Sequence, residues 1–79
     1  MNSSQLKVFH AVAKAGSFSL AARHLGLTQP AVSDHVRKLE EAHGTRMFTR
    51  GARGVTLTDI GLKLLAITTA QPSPLALGF

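Results

Sequence analysis

Thr28, Gln29, Pro30, Ser33, Asp34, Arg37 and Lys38 gather an amide, two hydroxyls, a carboxylate and two cations into one short stretch. Groups of these types donate and accept hydrogen bonds and neutralise charge; nothing in their spacing is arranged to break a bond. A second set of cations, Arg46, Arg50 and Arg53, leads into and occupies the segment around Gly51-Ala52-Arg53-Gly54. The groups that could do catalysis are badly placed for it. His10, His24, His35 and His43 lack metal-ligand spacing such as H-E-x-x-H. Glu40 and Glu41 are adjacent, which splays them about 100° apart on a helix, so they read as a solvated face rather than a catalytic pair. There is no cysteine for a thiolate metal site or a disulfide. Neither a glycine-rich phosphate loop nor a nucleophile elbow occurs. No enzyme, cofactor or metal is expected.

The charge balance says what such a surface would meet. Nine Lys/Arg against four Asp/Glu give the 79 residues a net charge of +5, which points to a polyanion. The acids stand only at Asp34, Glu40, Glu41 and Asp59, so residues 1–33 and 44–57 carry cations alone. Apolar residues make up 44%, enough for one small core. No apolar run reaches the roughly 18 residues of a membrane span, and the start MNSSQLKVFH is not a signal peptide. A cytoplasmic, nucleoid-associated chain without a membrane partner is expected.

The elements that must position these residues follow from periodicity and punctuation. Leu6, Phe9, Val12 and Ala13 form one helical stripe after Ser3 or Ser4 as cap, and Gly16 ends it. Ser17 opens a shorter helix with Phe18, Ala21, Ala22 and Leu25 on one face, closed by Gly26. Thr28 caps a third helix, with Pro30 tolerated in its first turn, running to about Ala42 before Gly44. Extended runs at Arg46–Arg50 and Val55–Leu57 then flank the glycine-rich tetrapeptide as a hairpin. Thr58 caps a fourth helix with Asp59 in its first turn and Ile60, Leu64 and Ile67 inward; Pro72 and Pro74 stop it by about Ala70. The fold is mainly α, in the order α-α-α-β-β-α. Residues 1–57 form the domain, 58–70 start a linker or dimerisation helix, and 71–79 are an irregular apolar tail.

The second and third helices meet the demands of a helix-turn-helix. Ala22 is small where the helices cross, Gly26 accepts the turn, and Val32 plugs the crossing. Helical rotation, about 100° per residue, gathers Val32, Val36 and Leu39 on one side of the third helix. The same rotation turns Pro30, Ser33, Asp34, Arg37 and Lys38 away from that side, with Gln29 nearer the edge at the helix tip. One face is core and the other is polar, as a groove-reading helix requires. Gln29 can bond adenine N6 and N7, and Ser33 can bond several bases. Asp34 can accept from cytosine N4 or pair with Lys38 one turn on. Arg37 and Lys38 suit phosphates. Thr28 is chiefly a cap, and Pro30 chiefly sets the helix start. Arg50 and Arg53 suit backbone or minor groove, while the direction of Arg46 stays open. Ser17 and Ser19 lie at a helix start that caps itself or meets a phosphate. Phe9, Phe18 and Phe48 sit on apolar stripes and belong to the core.

The runs SFSLAARHLGLTQPAVSDHVRKLE and GTRMFTRGARGVTLTDIG resemble the N-terminal DNA-binding domain of LysR-type transcriptional regulators, over about residues 4–67. The resemblance implies a winged helix-turn-helix on double-stranded DNA, third helix in the major groove and wing on the flanking backbone or minor groove. It also implies dimers through a long linker helix, often paired into tetramers, and a C-terminal effector-binding domain. No effector domain is present in these residues. QPSPLALGF breaks the linker helix, so a weak homodimer is expected, and Asp34 stands where Arg or Lys often follows the serine. Sequence-specific DNA binding for transcription regulation is the reading; a winged-helix protein-interaction module and a non-specific nucleoid-type binder are its rivals.

Overall fold

A computed structural model describes residues 2–70. Four helices and one hairpin follow in the expected order: α1 (Ser3–Ala15), α2 (Phe18–Leu25), α3 (Gln29–His43), β1 (Phe48–Gly51), β2 (Gly54–Leu57) and α4 (Asp59–Ala70). The tail expected at 71–79 lies outside the described residues.

Helix starts are set by side chains that accept otherwise unpartnered N–H groups. Ser17 accepts from the Leu20 N–H and Thr28 from the Ala31 N–H, each at 3.2 Å. For α1 the cap is Asn2, not Ser3 or Ser4: Asn2 is extended and its side chain accepts from the Gln5 N–H at 2.8 Å. Both serines already lie within the helix. Between α2 and α3 the chain turns at Gly26, whose φ of 67° is left-handed and costs a glycine little. The Leu27 N–H then donates back to the Ala22 carbonyl at 2.9 Å, closing the turn.

The core is built from Val8, Phe9 and Val12 of α1, Phe18, Ala21 and Ala22 of α2, Val32, Val36 and Leu39 of α3, and Met47 and Phe48. The three phenylalanines expected inside pack together, Phe48 lying 5.3 Å from Phe9 and 6.0 Å from Phe18 between ring centroids. Leu6 and Ala13, expected on the inner stripe of α1, are only half-buried at its edge.

The antiparallel hairpin pairs Phe48 with Leu57, Arg50 with Val55 and Gly51 with Gly54, leaving Ala52-Arg53 as its tip. β1 therefore starts two residues later than the expected Arg46. The reason is competition for backbone groups. The Met47 and Phe48 N–H groups donate to Glu40 Oε2, at 2.7 and 3.3 Å, and the Met47 carbonyl accepts from the Thr58 N–H at 3.0 Å. The lead-in to the strand is thus pinned between α3 and the start of α4. On its other side the hairpin is tied to the end of α1, where the Val55 N–H donates to the Gly16 carbonyl at 3.1 Å.

The inward face of α4 differs from the expected stripe. Ile60 and Ile67 are 42% and 60% exposed, while Leu64 and Leu65 pack on the core and Gly61 is buried. Thr58 fixes this rotation. Its hydroxyl donates to the Arg46 carbonyl at 2.8 Å and accepts from the Gly61 N–H at 3.0 Å. Gly61 is thereby laid against the Met47 carbonyl, where no side chain has room. Positions 61, 64, 65 and 68 follow one another inward at helical spacing. Thr68 closes the series, its hydroxyl 2.6 Å from His10 Nε2 on α1. Among the described residues no helix is long and apolar enough to cross a membrane.

Candidate nucleic-acid interface

α3 presents the two faces that its sequence lays out. Val32, Val36 and Leu39 are buried; Gln29, Pro30, Arg37 and Lys38 are exposed, and Ser33 and Asp34 are half-buried between them. Thr28 is exposed as the cap. At the tip of the helix, Gln29 Oε1 accepts from the Ser19 hydroxyl at 3.2 Å, which joins the start of α2 to the leading edge of α3.

One turn further on lies a closed charge network. Arg37 Nη2 donates to Asp34 Oδ1 at 2.6 Å and Nη1 to Glu41 Oε2 at 3.0 Å, while Lys38 Nζ reaches Asp34 Oδ2 at 3.1 Å. Hydrogen bonds from Arg37, and then Lys38, hold the Asp34 carboxyl below the usual carboxylate range. Asp34 in turn raises the already high value of Arg37. The pairing of Asp34 with Lys38 is present, and Arg37 is its second partner. Two cations and two acids leave this part of the surface without net charge.

Across from α3, the strand β1 and its lead-in carry Arg50 and Arg46. The two elements enclose a cleft of about 250 Å³ with Phe18, Val36 and Phe48 at its base and Ser33, Arg46 and Arg50 among its lining. The Arg50 guanidinium lies 4.4 Å from the centroid of the Phe18 ring, a cation–π arrangement that steadies a long side chain. Arg53 occupies the exposed hairpin tip. The structure therefore brings Ser33 and Arg37 of α3 and Arg50 of β1 to one cleft, with Gln29 at the helix tip and Arg53 beyond the strand.

Two residues gain roles that sequence reading did not give them. Arg46, whose direction was open, lines the cleft; its place in the acid-free segment 44–57 was the available signal. Glu40, expected on a solvated face, instead accepts two backbone N–H groups at the strand entry. That bond joins residues seven and eight positions apart across the Gly44 turn, so helical periodicity carries no trace of it.

Two helices crossed through a glycine turn, with a polar outer face on the second and a basic two-stranded hairpin beside it, define a winged helix-turn-helix domain. The chain belongs to the LysR family: the family described as bacterial regulatory helix-turn-helix protein, lysR family, matches residues 3–62. It is 50% identical over 64 residues to the HTH-type transcriptional regulator AbaB of Streptomyces antibioticus, covering 81% of this chain and 21% of AbaB. The chain spans about a fifth of the length of several curated relatives that it matches. Its fold is similar to that in the crystal structure of the CbnR DBD–DNA complex, with a TM-score of 0.83 and 36% identity over 89% of this chain and 80% of that one. A LysR-family transcriptional regulator from Eggerthella lenta gives a TM-score of 0.82 and 32% identity, over 87% of this chain and 99% of that one.

Proposed function

We propose that this domain binds duplex DNA sequence-specifically and thereby serves transcription regulation. The observation that carries the reading is the shared cleft: the outward side of α3 and the basic strand β1 open onto the same surface. A helix in the major groove would bring Gln29 and Ser33 to base edges, with Thr28 and Pro30 shaping its tip and Asp34, Arg37 and Lys38 following along the groove. Arg50 and Arg53 then meet the flanking backbone or minor groove. The CbnR domain, of the same fold, is seen with DNA, and AbaB is named a transcriptional regulator, which supports the same reading for this chain rather than an enzymatic one.

The exposed Ile60 and Ile67, on one flank of α4, favour a homodimer through this helix. Two copies would read two half-sites one helical turn apart. Selection from a random duplex library tests the function. Recovery of one preferred sequence, with random-sequence DNA competing some 10³-fold or more weakly, supports it. Recovery without enrichment would leave a non-specific binder.

A further inference from the structure

The cations of this surface fall into two groups that behave differently. On α3, Arg37 and Lys38 are held by Asp34 and Glu41, so the quartet carries no net charge. On the facing strand and its lead-in, Arg46 and Arg50 make no ion pair among the described residues, although both line the cleft with α3. The acid in the cleft lining is Glu40, and its Oε2 is engaged by the N–H groups of Met47 and Phe48. Arg50 is further held in place over Phe18. The cleft is therefore a preformed slot with an apolar base and two guanidinium groups that make no ion pair among the described residues.

We propose that this slot takes one phosphodiester of the DNA backbone, bracketed by Arg46 and Arg50, at the point where the strand passes from the recognition helix to the wing. This rests on the duplex-binding reading above and adds Arg46 as a contact. A guanidinium presents two parallel N–H groups to phosphate oxygens, so two of them can hold a single tetrahedral anion. The placement also explains the division of labour. Held by its acids, the α3 quartet adds little to affinity, and the electrostatic share falls to Arg46, Arg50 and Arg53.

The test uses the 79-residue chain and a duplex selected by it from a random library. Affinity is measured against salt for the wild type, Arg46→Gln and Arg46→Lys, with circular dichroism to verify the fold. Single methylphosphonate linkages, which are uncharged, are then scanned along both strands. Arg46→Gln should flatten the plot of log K against log salt by about 0.9, so that its deficit shrinks about eightfold between 0.1 and 1 M salt, and Arg46→Lys should restore the slope. One linkage at the junction between the major-groove site and its flank should weaken the wild type and cost Arg46→Gln clearly less, because Arg50 alone still meets that phosphate. A slope unchanged in Arg46→Gln, or losses that add fully at every linkage, would overturn the slot while leaving duplex binding intact. Failure of the wild type itself to bind any selected duplex would remove both readings together.

Discussion

Arg50 on β1 lies over the ring of Phe18 on α2, its guanidinium carbon 4.4 Å from the ring centroid. Phe18 is itself buried against Phe48, which begins the same strand. One aromatic side chain thus serves the core with one side and a wing cation with the other. Phe18→Leu separates the two roles. Loss of the ring should lower stability by about 1–2 kcal/mol, through the volume removed from the core and the lost edge contact with Phe48. It should also free Arg50, weakening binding a few-fold on all duplexes alike, because a cation–π contact at an exposed site is worth about 0.5–1 kcal/mol. The salt slope should not change, since every cation remains. Denaturant unfolding and duplex titration measure the two effects; an affinity equal to wild type would show that Arg50 needs no support from the ring.

Gly61 sits in the first turn of α4, where alanine would ordinarily be the better helix former by about 1 kcal/mol. Here the sign should reverse. A Cβ at this position would meet the Met47 carbonyl and stand 3.0 Å from Leu57 Cδ2. Backbone cannot yield as a side-chain tip can, so α4 would have to lift from the hairpin. Gly61→Ala should therefore lower the unfolding free energy by about 1–3 kcal/mol, in the range of overpacked cores. An unfolding midpoint in urea at or above that of the wild type would show that α4 shifts without penalty.

The contrast between what the residues declared and what they hid follows the range of each interaction. Ser17, Thr28 and Gly26 act within four residues, and their roles could be read directly. The polar face of α3 could be read because its apolar positions recur at helical spacing. On α4 the pattern was silent: residues 60, 62, 64, 65 and 67 are all apolar, so periodicity fits several rotations. The choice was made by Thr58 and Gly61 against Arg46 and Met47, contacts across more than ten residues. Arg46 stayed ambiguous for a related reason. Side chains alternate along a strand, so a strand start misplaced by a residue or two leaves direction undetermined. Glu40 set that start through long-range bonds to Met47 and Phe48.

Ile60 and Ile67, seven residues apart on one flank of α4, stand 42% and 60% exposed to solvent. Twelve residues give a seam of only about 18 Å, short for a stable interface. A monomer–dimer equilibrium that shifts with concentration, and towards dimer on a duplex with two half-sites, is the expected behaviour. Ile67→Lys should move the equilibrium to monomer with little effect on folding, because the side chain is largely exposed already. Sedimentation velocity over a concentration series measures this. A single species at all concentrations, or an Ile67→Lys variant that associates as well as the wild type, would exclude α4 as the seam.

Asp34 holds Arg37 with Oδ1 at 2.6 Å and Lys38 with Oδ2 at 3.1 Å, so each carboxylate oxygen already serves a cation. Those partners, Arg37 foremost, keep its carboxyl below the usual range. A carboxyl lowered in the folded state stabilises the fold above its unfolded value and loses that contribution as pH falls through the folded one. The network should therefore be intact throughout the neutral range and open only in acid, below about pH 4. Asp34→Ala opens it at neutral pH. The quartet then carries a net positive charge, and Lys38 is released towards phosphate. All duplexes should bind more tightly, with a salt slope steeper by up to about 0.9. The base preferences should stay as they are at every position, because Gln29 and Ser33 are untouched. The competing role, acceptance from cytosine N4, makes the opposite prediction: one position of the selected site would lose its C·G preference while the others held. Repeating the library selection with Asp34→Ala decides between them. A matrix altered at one C·G position would show that the carboxylate reads a base as well as holding its two cations.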